Sequence, residues 1–142
     1  MNTSHSGRHL ILPIPPESDL IESIVSVCRA NSIKTAVFTV MGSIVSATIG
    51  VYDQKQQVSV THIEKTATEV VSCLGNVTQQ NDSPVVTAKI VLADMTGSTT
   101  AGHLFSPTIV THAEIAIQEI VDVTFKRTHD SETGLSTIEQ LY

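Results

Sequence analysis

The stretch Asp94-Met95-Thr96-Gly97-Ser98-Thr99-Thr100-Ala101-Gly102-His103-Leu104-Phe105-Ser106-Pro107 decides how the chain is read. Gly97 lies between two β-prone runs, so Met95-Thr96-Gly97 reads as a three-residue hairpin loop with glycine in the left-handed position. The loop sets a register. With Asp94 opposite Ser98, Val91 falls opposite Ala101 and Lys89 opposite His103, which puts the last two on one face with Cβ atoms roughly 5 Å apart. The spacing thus predicts a small polar cluster at Lys89 and His103 on an otherwise apolar ribbon.

Working outward, Val85 to Ala93 and Ser98 to Leu104 are the arms of this hairpin. The polar run Gln79 to Pro84 before it reads as a loop. Upstream, Lys34 to Met41 is a β-rich run, Gly42-Ser43 breaks it, and Ile44 to Tyr52 alternates until Asp53 to Gln56 turns the chain. Gln57 to Glu64 and Glu69 to Val77 are two further strands. One helix is expected near the start. Asp19 with Glu22 three residues on forms a capping pair, and Ile21, Ile24, Val25 and Cys28 recur at helical spacing up to about Asn31. Met1 to Gly7 is small and polar and is expected to be disordered, with a first strand from His9 to Ile14 stopped by Pro15-Pro16.

Downstream, Ile109 to Phe125 fits either period. Ile109, Ala113, Ala116, Ile117 and Ile120 make a helix stripe, while Thr111, Ala113, Ile115 and Ile117 make a strand face. Its many β-branched residues incline the reading to a long strand. The tail has a polar turn at Thr133-Gly134 and a short segment, Leu135 to Leu141, expected to pack as a half-turn or helix.

Composition agrees with a β-rich fold. The chain has 142 residues, 41% of them hydrophobic and 15% charged, with no tryptophan. One domain spanning 8–142 is expected, large enough to bury about 68–70% of its unfolded surface. The net charge of −6, with eight scattered Lys and Arg, leaves no electrostatic footprint for nucleic acid. Cys28 and Cys73 sit in apolar surroundings and read as buried thiols in a reducing cytoplasm. No apolar run approaches the roughly 20 residues of a membrane span.

Several separated pieces, taken in order, are similar to the PPC domain family of prokaryotes and plant AT-hook nuclear proteins. They are Met41-Gly42-Ser43-Ile44 leading to Gly50-Val51-Tyr52-Asp53, then Glu69 to Val77, Gly102-His103-Leu104, Thr111 to Ile120 with Glu114, and Arg127 with Asp130 and Thr133-Gly134-Leu135. The resemblance implies an α/β fold of the α+β type: a large, mainly antiparallel sheet with one packed helix, in a compact homotrimer. It also implies that Ile109 to Phe125 is strand. Val40 stands where many members have glycine.

Prokaryotic members often carry two more histidines alternating along the strand before the hairpin, which with that of the Gly-His-Leu motif resemble a three-histidine zinc site. Here the matching positions are Thr87 and Lys89. A threonine hydroxyl is a poor zinc ligand and an ammonium has no free lone pair, so no metal and no cofactor is expected. The fold is also similar to that of acetolactate decarboxylase, whose chemistry depends on such a site, and the same departure argues against that activity. The family brings a DNA-binding label, but the plant relatives' Arg-Gly-Arg-Pro hook is missing.

The candidate site is therefore Thr87, Lys89, His103, Glu114 and Arg127. Lysine beside imidazole disfavours the charged form of either, which suggests a missing anion such as a carboxylate. The plainer alternative is that His103 is a partly buried histidine satisfied by a backbone carbonyl. Glu114 could pair with Lys89 or Arg127, as a base or as a structural ion pair. His62 and His112 read as ordinary sheet or interface residues, and His5, His9 and His129 lie near ends and turns. The resulting expectation is a trimeric binding or assembly module in the cytoplasm, with no tight duplex DNA binding and no membrane partner. The alternative is an enzyme or binding protein for a small anionic ligand.

Overall fold

The computed structural model describes residues 4–139. Its element order is β1 (His5–Ile14), α1 (Leu20–Ala30), β2 (Ala36–Asp53), β3 (Val58–Glu64), β4 (Thr68–Gln80), β5 (Ser83–Ala93), β6 (Thr99–Val121), β7 (Arg127–His129) and β8 (Ser136–Ile138). All strand pairs are antiparallel. The fold class is α+β.

The sheet is organised on β2 and β6, which pair along almost their whole lengths. Because β4 flanks the first half of β2, and β5 joins β4 to the start of β6, the strands β2, β4, β5 and β6 close on one another. The remaining strands, β1 and β3, lie along the far halves of β6 and β2.

Helix α1 packs against β5 and β6. Leu20, Ile24 and Cys28 recur on its inner face and are fully buried among Ile44, Ile90 and Ile115. Each large aliphatic side chain so buried stabilises the fold by roughly 1.5–3 kcal/mol. The start of the helix is held by the residue the spacing indicated: the Asp19 carboxylate accepts from the Glu22 amide at 3.0 Å. That carboxylate also accepts from the Ser106 hydroxyl at 2.7 Å and the Thr108 amide at 2.5 Å, so the cap clamps the helix to the middle of β6.

The hairpin forms with the expected register, Lys89 opposite His103 and Val91 opposite Ala101. The Asp94 amide donates to the Ser98 carbonyl at 3.0 Å, and Gly97 takes φ +85°. Ile109 to Val121 is strand, continuous with the hairpin arm in β6, and it stops short of the expected end at Phe125 because Asp122 takes φ +72°.

Four further local expectations are corrected. The first strand begins at His5, inside the segment expected to be disordered, and Met1 to Thr3 lie outside the described residues. Gly42 does not end a strand; it is a bulge within β2, where its φ of +145° and close approach to the His112 carbonyl and Ala113 Cα leave no room for a Cβ. The polar run Gln79 to Pro84 is mostly strand, closed by a two-residue turn at Asn81-Asp82 with φ of +51° and +60°. In the tail, Ser136–Ile138 pairs with Arg127–His129 as a hairpin rather than coiling, because Gly134, at φ +73°, reverses the chain. Residues 140–142 of that expected segment lie outside the described residues.

Candidate functional site: a cationic cleft

Alternation along β5 turns Ala88, Ile90 and Leu92 into the core and leaves Thr87 and Lys89 on the outer face. On β6, Leu104 is buried while His103 and Phe105 share that outer face. The two rings lie 4.8 Å apart between centroids, tilted by 43°. His103 is flanked in the ladder by Lys89 on one side and Gly50 on the other. A side chain at position 50 would collide with Phe105, since its Cβ would come within 2.6 Å of the ring.

Arg127 arrives from β7. Its guanidinium donates to Asn76 Oδ1 at 3.0 Å, Thr78 Oγ1 at 3.1 Å and the Ser136 carbonyl at 2.9 Å, all neutral acceptors. The tail hairpin that carries it is tied to the β2–β3 turn, where Tyr52 donates to the Thr133 carbonyl at 2.6 Å and Gln57 to the Glu132 carbonyl at 3.2 Å. Between these parts lies a cleft of about 360 Å³, lined by Thr87, Lys89, His103, Phe105 and Arg127, with Tyr52 and Leu135 at its walls. No Asp or Glu is among the described residues that line it.

The cleft is therefore positive. Burial pushes the His103 pKa below its ordinary value, and the nearby charges of Lys89 and Arg127 lower it further. Burial also lowers the Arg127 pKa. Arg127 is a partly buried cation and Lys89 an exposed one, and no carboxylate among the described lining residues offsets either charge.

Four of the five candidate residues, Thr87, Lys89, His103 and Arg127, come together here. Glu114 does not. It is exposed on β6 opposite Met41 and Pro13, at the opposite end of the strand from His103, and does not line the cleft. Sequence reasoning missed Phe105, although it lies two residues beyond His103 on the same strand face. It also missed Asn76 and Thr78, which orient Arg127 and carry no local signal of that role. Elsewhere, His5 pairs with Asp122 at 2.8 Å, and His62 and His112 are exposed on β3 and β6. Cys28 and Cys73 are buried free thiols. Among the described residues no helix is long and apolar enough to cross a membrane.

The sequence profile of the Plants and Prokaryotes Conserved (PCC) domain, also written PPC, matches residues 1–121. The chain belongs to this family. Among solved structures, a PPC protein from Pyrococcus horikoshii superposes with a TM-score of 0.93 at 26% identity, over 100% of this chain and 98% of that one. A metal-containing protein from Archaeoglobus fulgidus superposes at 0.92 with 26% identity, covering 97% of each. A Bacteroides thetaiotaomicron protein whose name proposes DNA binding shares the fold at 0.85 with 19% identity, over 97% of this chain and 98% of that one. No curated protein sequence matches the chain significantly.

Thr87, Lys89 and His103, the positions matched by the resemblance to three histidines, all line this cleft. This donor set does not fit zinc, because one imidazole, one hydroxyl and an ammonium supply a single good ligand, and Arg127 adds a second fixed cation. Among the described residues no group of three or more His, Cys, Asp and Glu side chains is arranged to hold a metal.

Proposed function

We propose that this PPC domain is a binding module whose cleft holds a small anion where family members of the histidine type would gather a cation. One observation carries the reading: Lys89, His103 and Arg127 converge from three strands with no carboxylate among the described lining residues. Arg127 is already oriented by Asn76, Thr78 and Ser136, so little ordering is required when an anion arrives. Calorimetric titration with inorganic phosphate and with acetate tests it. Binding that weakens strongly in Lys89→Ala and Arg127→Gln supports the reading, and undiminished binding in both variants rejects it.

A second reading concerns assembly as a homotrimer in the cytoplasm. It is favoured by the outer sheet face, where cross-strand neighbours Ile11, Ala116, Thr39 and Leu74 form a row. Ile11 is 77% exposed, Leu74 56% and the nearby Met41 65%, an apolar surface suited to a second copy of the chain. A trimer would carry three times −6, or −18, and repel duplex phosphate. Sedimentation equilibrium of the wild type and of Leu74→Glu tests the assembly, and a monomeric wild type rules it out. A salt-sensitive, submicromolar complex with duplex DNA would contradict the charge argument.

A further inference from the structure

The anion reading leaves the rest of the cleft unexplained, since fixing one small anion does not require aromatic walls. The chain has only five aromatic residues, three Phe and two Tyr. Two of them, Tyr52 and Phe105, line this cleft together with the His103 imidazole. Both are seated by glycines. Gly50 leaves the space that Phe105 occupies, and a Cβ at Gly134 would come within 2.5 Å of the Tyr52 hydroxyl. The Tyr52 hydroxyl is engaged with the Thr133 carbonyl, so what it adds to the wall is its ring. Leu135 extends the apolar side, while Lys89 and Arg127 hold the charged side.

On the basis of that anion-binding reading, we propose that the ligand is an amphipathic anion, a carboxylate or phosphate ester carrying a flat apolar body. The charged group sits between Lys89 and Arg127, and the body lies against Phe105, His103 and Leu135. A volume of about 360 Å³ suits this division, falling within the range of ordinary small-molecule sites and exceeding what a bare oxyanion fills. Ring-on-ring contact adds to simple area burial, and His103 and Phe105, packed against each other, both line the cleft.

Calorimetry with four probes, namely benzoate, acetate, inorganic phosphate and the neutral benzamide, tests the proposal. Benzoate is expected to bind about tenfold or more tightly than acetate, the difference being the ring's contribution. Benzamide is expected to bind far more weakly than benzoate. In Phe105→Leu the benzoate preference over acetate falls several-fold while phosphate affinity is kept, and Phe105→Ala, checked for folding by circular dichroism, loses more of it. Equal affinity for acetate and benzoate overturns the amphipathic ligand and leaves the anion reading standing. Equal affinity for benzamide and benzoate, or no binding of any probe, overturns both.

Discussion

Lys89 on β5 stands directly opposite His103 on β6, a cross-strand pair on the outer face with Gly50 completing the row. The Lys89 ammonium raises the cost of charging the His103 imidazole. Together with burial, this keeps the imidazole neutral over a wider range than usual.

Lys89→Ala should therefore move the His103 pKa upward, towards its ordinary value of 6.5, and Arg127→Gln should do so too. Burial is the larger cause and remains, so neither variant restores the ordinary value fully. Proton-detected titration of the ring resonances measures this. The sign for stability follows from linkage. With the folded pKa below the unfolded one, the unfolded chain binds more protons in the window between them, so His103 costs stability as pH falls through that window. Lys89→Ala should flatten this loss in denaturant melts taken across the same pH range.

Replacing both departing positions, Thr87→His with Lys89→His, should create a site that takes zinc. The two positions alternate on β5 and project to the face that His103 occupies from across the ladder, a facial set for a tetrahedral ion with one position open. Elemental analysis after gentle purification should find close to one zinc per chain in the double variant. The same treatment of Lys89→His alone should find far less.

How much of this site was legible in the chain follows from where its contacts lie. Gly97 and its flanking β-prone runs fix a local register, so Lys89 and His103 could be paired by counting along one hairpin. Asp19 and Glu22 announce a helix by a three-residue spacing for the same reason. Gly42 was read as a break because nothing local reveals that Ala113 lies against it, 71 residues away in the sequence. Glu114 and Arg127 were judged alike as charges near the cleft. Only the long-range pairing of β6 with β1 and β2, and the anchoring of Arg127 by Asn76 and Thr78, separates them.

Asp19→Ala should destabilise the fold by more than an ordinary cap. The loss of the Glu22 amide bond costs about 1 kcal/mol, and release of Ser106 and Thr108 adds roughly the same again. Urea unfolding should show a drop of about 2 kcal/mol with an unchanged slope. A drop no larger than a few tenths would mean that the carboxylate does not clamp the helix to β6.

The two thiols should be inert in the native protein. Burial pushes Cys28 up to about 11 and Cys73 up to about 12, so almost no thiolate exists near pH 8. A chromogenic disulfide reagent at that pH should label neither cysteine until urea is added, and both afterwards. Rapid labelling of the native chain would place one of them on an accessible surface.

Among the described residues, the tail hairpin pairs β7 with β8 and reaches the main sheet through a handful of hydrogen bonds and the Gln79 to Lys126 bridge, and it delivers Arg127 to the cleft. The family profile matches residues 1–121, while the solved PPC protein superposes through this segment as well. Floor and roof of the cleft thus come from different parts of the chain, and an exchange of residues 122–139 with those of a relative is expected to change what stands at position 127 while leaving Lys89 and His103 on their hairpin.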